Sequence, residues 1–248
     1  MSEIKYYDGG ARTPDGAFYN ALESASPYAA TADRSYESDP NIQTGVPVVT
    51  GYSGIKTYGE TGGPDSLTTG TLAANTVKSV NVEIPLGANS QVLVNILREA
   101  GAKLGGALAA AQKTVIAAGA GITLTLNLSR ATMYDCMVDV KTAMDEHGCP
   151  AEGRVMVVPP VIFGELAKDE DLQAETDVEV SGSILKVMGF KVYQDANLDG
   201  EVLCYQKSAV AVAQVPAEYM RTEGSLVAAY NTGALVVEPN HVCCVTVS

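Results

Sequence analysis

Tryptophan is absent from this chain of 248 residues, phenylalanine occurs three times and histidine twice. Two histidines leave little room for a histidine-based metal centre. The five cysteines, Cys136, Cys149, Cys204, Cys243 and Cys244, contain no CxxC pair. An odd count without a spacing pattern argues against a secreted disulfide framework and against a zinc site, so mostly buried free thiols in a reducing compartment are expected. Cys243 and Cys244 adjoin in a candidate strand, which sends their side chains to opposite faces. Positive charge is also scarce: 16 Lys and Arg stand against 29 Asp and Glu, for a net charge of −13. Generic nucleic-acid binding depends on basic residues that neutralise phosphates, and such a surface opposes it. Ala107 to Leu128 is long and fairly apolar, but Gln112, Lys113 and several Gly and Thr residues interrupt it, so it is not read as a membrane span. The first eight residues, MSEIKYYD, are polar and acidic, unlike a signal peptide.

Signatures of catalysis are missing in the same way. The glycines of Ala117-Ala118-Gly119-Ala120-Gly121 are followed by neither Gly-Lys-Ser/Thr nor GxGxxG, so they match no phosphate loop and no dinucleotide fingerprint. Ala111-Gln112-Lys113-Thr114 falls inside a helix candidate, where the backbone N–H groups are already bonded. His147 and Cys149 are two residues apart without an identifiable third group; they read as a helix-end histidine and a turn cysteine. His241 lies beside an apolar strand. Asp169, Glu170 and Asp171 read as a solvated helix end, with a calcium contact between subunits as the alternative. No candidate catalytic, cofactor-binding or metal-ligating residue results, and no cofactor is expected.

What is present is a core. Hydrophobic residues make up 46% of the chain, enough for one large domain or two lobes sharing a core. Ala, Val, Gly, Thr and Tyr dominate, which favours a mixed α and β fold. The stretch from Ser129 to Leu198 is the most legible. Met133, Met137, Val140 and Met144 recur at steps of four, three and four, which makes one apolar helical face after Ser129 as N-cap. Gly148 and Pro150 stop that helix. Arg154 to Val158 is an apolar run closed by Pro159 and Pro160, as suits a strand covered on both faces. Val161, Ile162, Leu166 and Leu172 are expected to face the core from a short helix. The acidic loop Glu175 to Glu179 follows, and then Ser183 to Tyr193 leads into a second strand.

The segments EHGCPAEGRVMVVPPVIFGELAKDEDL, GSILKVMGFKVYQDANL and KSAVAVAQ, with YNTGALVVEPNHV near the C-terminus, resemble the core of tailed-phage major capsid proteins with the Hong Kong 97-type fold. That family shows a helix ending in Gly-x-Pro, a strand ending in Pro, a short helix, a Gly-x-Ile…Gly-Phe-x-Val strand and an Asn-Leu turn. The resemblance covers about seventy residues in detail and most of the chain in layout. It implies an α+β fold with an N-terminal arm, an extended β-ribbon loop, a long spine helix, and peripheral and axial domains.

Taken in order, residues 1–45 look like an extended arm punctuated by Gly9-Gly10, Pro14, Gly16, Pro27 and Pro40, with a helical period only from Ala17 to Ser24. The alternative for this segment is a disordered tail. Residues 46–85 read as two strands joined by the polar tip Gly59 to Asp65; the second strand is Thr76 to Ile84, where polar and apolar residues alternate. The resemblance makes this the loop that reaches over a neighbouring subunit; the alternative is a hairpin folded on its own domain. Ser90 to Ala118 is the longest helix candidate. Its apolar face is Leu93, Leu97, Ala100, Leu104, Leu108, Ala111 and Val115, its cap Ser90, its length roughly 40 Å. Gly101, Gly105 and Gly106 weaken its middle by about 1 kcal/mol each relative to Ala, and so permit a bend or a close neighbour. Ile122 to Leu128, a strand centred on Val210 to Ala213, a long strand Ser225 to Glu238 bulged near Asn231 and Gly233, and His241 to Val247 complete the pattern.

The resemblance divides the chain into the arm (1–45), the extended loop (46–85), a peripheral domain (86–128 and 223–238, with the spine helix 90–118) and an axial domain (129–222 and 239–248). It implies a non-enzymatic protein that assembles into pentamers and hexamers of an icosahedral shell around double-stranded DNA, in the virion after assembly in the host cytoplasm. The DNA is enclosed without sequence-specific binding and no membrane is involved. A portal is a further partner, with a decoration protein as an option; the first forty residues lack the cleavable scaffold segment of several members, so the resemblance implies a separate scaffolding protein or none. Some members weld subunits by a Lys–Asn isopeptide bond. Lys56 lies where such a lysine stands, but no Asn partner is identifiable, so non-covalent locking is expected. The rival readings are an encapsulin-like compartment shell and a cytoplasmic α+β enzyme with an unrecognised site.

Overall fold

The computed structural model describes residues 14–53, 66–129, 132–169, 172 and 185–248. Two helices come first, α1 (Pro14–Ser24) and α2 (Pro27–Thr31), then the strands β1 (Val46–Ser53), β2 (Ser66–Leu72) and β3 (Thr76–Glu83). The long helix α3 (Ser90–Ala118) leads to β4 (Ile122–Leu126), α4 (Met133–Glu146), β5 (Arg154–Val158), α5 (Pro160–Lys168), β6 (Leu185–Val187) and β7 (Phe190–Gln194). The chain ends with β8 (Glu201–Gln206), β9 (Val210–Arg221), β10 (Ser225–Val236) and β11 (Val242–Val247).

Two sheets are joined by α3. The larger has six strands in the order β4-β11-β8-β5-β7-β6. On one face Met133, Met137, Val140 and Met144 of α4 and Ile162 and Leu166 of α5 pack against Met156, Val158, Val192 and Val245. On the other face Val155, Val157, Leu203 and Tyr205 meet Ala109 and Ile116 of α3 and Tyr28 of α2. Every residue of β5 is buried, as expected of an apolar run covered on both sides. The smaller sheet, β3-β10-β9, lays Leu226, Ala228 and Tyr230 against Leu97, Ala100, Leu104 and Leu108 of α3, with Phe18 and Leu22 of α1 in the same cluster.

The arm expectation changes for residues 14–31, which form two helices rather than an extended segment. Phe18 and Leu22, one helical turn apart, are buried against α3. The glycines that weaken the middle of α3 make this possible. A Cβ on Gly101 would lie 2.2 Å from the Phe18 carbonyl oxygen, and one on Gly105 2.3 Å from that of Leu22. Of the two readings of those glycines, a close neighbour is therefore the one found.

The loop 46–85 differs as well. The ribbon consists of β1 and β2, antiparallel from Val46 opposite Leu72 to Ser53 opposite Ser66. Thr76–Glu83 is a third strand that pairs with β10 instead. Gly233 marks the place where the chain crosses β10 on its way from β2 to β3, since a Cβ there would stand 2.0 Å from the Ala73 carbonyl oxygen. The register irregularity of the β9–β10 pair falls opposite Ala229 and Tyr230, where β9 holds the extra residue Ala217, and not at Asn231 or Gly233. Between β8 and β9 a 3-10 turn, Lys207–Ala209, replaces continuous strand.

Two layers cross the expected divisions. β4 lies within 86–128 but joins the six-stranded sheet, through parallel pairing with β11. β9 lies within 129–222 but joins the three-stranded sheet, because its hairpin with β10 is continuous from Val210 to Arg221. The caps shift too: Asn89, not Ser90, caps α3, accepting from the Val92 N–H at 3.0 Å. α4 starts after Thr132, whose hydroxyl bonds back to Ser129 and the Asn127 carbonyl. In the second half of α3 the buried stripe runs through Gln112 and Ile116, leaving Val115 exposed and Ala111 half-buried. Val161 of α5 is exposed, whereas Ile162, Leu166 and Leu172 are buried.

Candidate functional site

The sequence-derived candidates for chemistry do not converge. His147 closes α4 with its Nδ1 2.8 Å from the Ala143 carbonyl, while the Cys149 thiol faces the Pro150 carbonyl at 3.6 Å. The turn that carries them is organised by Arg154, which is buried. Its guanidinium donates to the carbonyls of Pro150 and Cys149, pairs with Asp145 at 2.6 Å and lies 5.9 Å from the centre of the Phe190 ring. That guanidinium, with help from Lys141, holds the Asp145 carboxyl below the usual carboxylate range. His241 ends the 3-10 turn Pro239–His241 ahead of β11. Asp169 is turned inward, accepting from the Leu172 N–H at 3.0 Å, so it caps a turn rather than joining a solvated charge run.

Four of the five cysteines are buried and none is bonded to another; Cys244 is half-buried. Cys243 and Cys204 are paired across β11 and β8 on the face toward α4, and Cys244 points to the opposite face, as adjacency in a strand requires. Burial pushes the Cys243 thiol up to about 12 and that of Cys204 well above its ordinary value. These are not nucleophiles at neutral pH. Among the described residues no group of His, Cys, Asp and Glu is arranged to hold a metal ion, and no helix is long and apolar enough to cross a membrane. An open groove of about 650 Å³ is lined by Ile84, Pro85, Leu86, Leu93, Arg221 and Glu223. It contains no acid–base pair held in hydrogen-bonding geometry.

The N-terminal segment is fastened to the body by polar contacts along its length. Asp15 accepts from the Tyr219 hydroxyl at 2.6 Å and pairs with Arg221 at 3.0 Å. Ser26 joins a buried network in which its hydroxyl donates to Gln112 at 3.3 Å and accepts from Gln214 at 3.0 Å, while Gln112 donates to Thr232 at 3.0 Å. Thr31 shares a hydrogen bond with the buried Tyr205 hydroxyl. Tyr28 is held beside Asp195, and burial together with that carboxylate raises its phenol well above the usual range. Asp195 also anchors the Asp-Ala-Asn-Leu turn: its carboxylate accepts twice from Asn197, whose amide reaches the Gly106 carbonyl at 3.3 Å.

What faces outward is different in character. The ribbon rests by its base on Ala211 and Ala213 of β9, through Val46, Val48, Leu72 and Ile42. Leu86, between β3 and α3, is 86% exposed, and Val161 and Val77 are 74% and 60% exposed. Scattered singly over different elements, such side chains are ordinary on a protein surface and by themselves mark no site. Lys56, the tip Gly59 to Asp65 and the loop Glu175 to Glu179 lie outside the described residues.

No protein-family model matches the sequence, and no curated protein matches it. Solved structures do. A structure from Mycobacterium phage Che8 superposes with a TM-score of 0.67 at 15% identity, over 99% of this chain and 95% of that one. The mature capsid of bacteriophage PhiM1 gives 0.56 at 12% identity, over 100% and 91%. A virus-like particle from Pyrococcus furiosus gives 0.61 at 12% identity, over 92% and 96%. The chain is similar to all three from end to end. It has the α+β capsid fold of the Hong Kong 97 type, as its own segments led one to expect.

Proposed function

We propose that this chain is the major capsid protein of a tailed bacteriophage, many copies of which assemble into the icosahedral shell that encloses double-stranded DNA. The observation that carries this is the end-to-end correspondence with phage structures, that of PhiM1 being a mature capsid: nearly all of this chain is matched, and nearly all of the Che8 and PhiM1 chains in return. On this reading the three-stranded sheet with α3 belongs to the peripheral domain and the six-stranded sheet to the axial one. The protein acts by burying surface between copies. A two-fold contact closes into a dimer, but heterologous contacts build rings, here of five and six. Individually weak contacts multiply when each copy has several neighbours. With a net charge of −13, the wall repels the genome it confines and lets it slide. A separate scaffolding protein, a portal and a decoration protein are the partners, assembly takes place in the host cytoplasm, subunits lock without covalent bonds, and no catalysis is involved.

One observation supports a second reading. The similarity to a virus-like particle from Pyrococcus furiosus is as extensive as that to the phage capsids. A compartment shell without a genome has the same architecture. Electron microscopy and light scattering on the purified protein, with and without co-expressed neighbouring genes, test both. Closed shells or rings of five and six support a shell protein, and nucleic acid inside them selects the virus. A monomer of 25.8 kDa under every condition overturns both readings.

A further inference from the structure

α1 lies along α3 in the same direction. Phe18 sits at Gly101, Leu22 at Gly105 and Ser26 at Gln112, so each step toward the start of α1 is a step toward the start of α3. Carried back by the same spacing, Pro14 comes level with Leu97, and one turn further along α3, about 6 Å away, stands Leu93. Leu93 lines the open groove between the β3–α3 connection and the β9–β10 turn. α1 is also fastened at this end. Asp15 pairs with Arg221 at 3.0 Å, and Arg221 lines the groove as well. The described part of the chain therefore begins at the rim of the groove.

The groove measures about 650 Å³, within the range of about 300–1,000 Å³ typical of binding pockets. Its apolar wall runs from the buried Ile84 through the half-buried Leu93 to Leu86, which is 86% exposed. Its two charged residues, Arg221 and Glu223, are of opposite sign. Thirteen residues precede Pro14, and among them Ile4-Lys5-Tyr6-Tyr7-Asp8 combines three large side chains suited to an apolar wall with one cation and one anion. The stretch from Asp8 to Asp15 reaches up to about 23 Å when extended. Gly9-Gly10 within it allows the chain to reverse.

We propose that this groove is the docking site of Ile4 to Asp8 of the same chain, with Ile4 and Tyr6 against Leu86 and Leu93, Lys5 against Glu223 and Asp8 against Arg221. Attachment through Asp15 favours the chain's own segment. A short tether holds it at an effective concentration on the order of millimolar, which the segment of a second copy does not match in dilute solution. The site is complete in a single copy, so the proposal does not rest on the shell reading.

The chain contains no tryptophan, so Tyr6→Trp introduces a single indole as reporter. Acrylamide should quench it several-fold less than in the same chain carrying Leu86→Asp, and the shielding should not change with protein concentration. Leu86→Asp should leave the melting temperature unchanged, because that side chain is exposed. Hydrogen exchange without the reporter gives an independent readout: the amides of residues 5–8 should exchange on the order of tenfold more slowly than in Leu86→Asp. An indole fully open to the quencher, equal shielding with and without Leu86→Asp, or equal exchange at residues 5–8 overturns the proposal. Shielding that grows with concentration, or that an excess of unsubstituted chain restores to the Leu86→Asp variant, overturns the chain's own segment as the occupant. Whether shells form decides the shell reading and leaves each of these outcomes unaffected.

Discussion

Replacing Gly101 with alanine should separate α1 from the body it is packed on. The obstacle to the new Cβ is the Phe18 carbonyl oxygen, 2.2 Å away, and the carbonyl carbon at 3.0 Å. These are backbone atoms of a helix, so no rotamer change relieves the overlap. α1 has to retreat by about 1.2 Å to reach ordinary contact at 3.4 Å. Phe18 and Leu22, at 0% and 3% exposure, then lose their seats. Burial of each contributes about 1.5–3 kcal/mol, so complete release costs about 3–6 kcal/mol. Alanine offsets about 1 kcal/mol of this through its higher helix propensity. The net expectation for Gly101→Ala is destabilisation by about 2–5 kcal/mol. Gly106 supplies the control. It lies on the same helix with nothing within 4 Å of its Cβ position, so Gly106→Ala should stabilise by about 1 kcal/mol. Urea unfolding followed by circular dichroism measures both, and limited proteolysis reports whether residues 14–24 are released. Equal stabilisation by the two substitutions would refute the docking of α1 on α3.

Three further outcomes are expected. Because Arg154 and Lys141 depress the Asp145 carboxyl in the folded state, the contribution of this pair is complete above the ordinary value of 3.8 and is lost as pH falls through the depressed one. Asp145→Asn should therefore flatten the acid limb of the melting temperature against pH; because the carboxylate is 45% exposed and solvent screens the pair, the loss at pH 7 should be about 1 kcal/mol or less. A thiol reagent at pH 7 should leave Cys204 and Cys243 unmodified in the native protein, with Cys244 reacting first, and reach all five cysteines only in urea. Gln112→Leu removes the centre of the buried network and leaves Ser26, Gln214 and Thr232 short of partners, at a cost of about 1–3 kcal/mol or more in urea unfolding.

Which parts of the fold could be read from residues alone follows from how local their causes are. The bounds of α3 were legible because its apolar steps persist over eight turns and glycines stand just beyond its end; β5 was legible because prolines close a buried run. The N-terminal helices were not, because what holds Phe18 and Leu22 is the missing side chain of two glycines some eighty residues later. β2 escaped notice because Ser66-Leu67-Thr68-Thr69-Gly70-Thr71-Leu72 has no alternation of polar and apolar residues. The caps were misplaced by one and three residues because Ser, Thr and Asn are nearly equivalent in that role, so composition does not choose among them. The candidate site was the least legible part. Pro216 is a local sign that an edge is guarded, but the guards at Val212 and Gln214 come from Asp33 and Glu37, which only folding brings there.

The different treatment of the two edges of the three-stranded sheet also bears on how copies can associate. An open edge that met its own image would give an isologous pair, and growth would end at a dimer. Here β3 and β9 are the two edges of the three-stranded sheet, and along β9 the N–H groups of Val212 and Gln214 are closed by Asp33 and Glu37 of the same chain. Closing the β9 edge from within the chain removes the second site at which an added strand could start. The N-terminal segment thus has two effects at once: it completes the core through Phe18, Leu22 and Tyr28, and through Asp33 and Glu37 it restricts the open edge of this sheet to β3. Loss of Glu37 should then show itself as promiscuous association rather than as unfolding. For Glu37→Ala, the measurement is the distribution of particle sizes by light scattering, which should broaden while the melting temperature changes by less than the effect of Gly101→Ala.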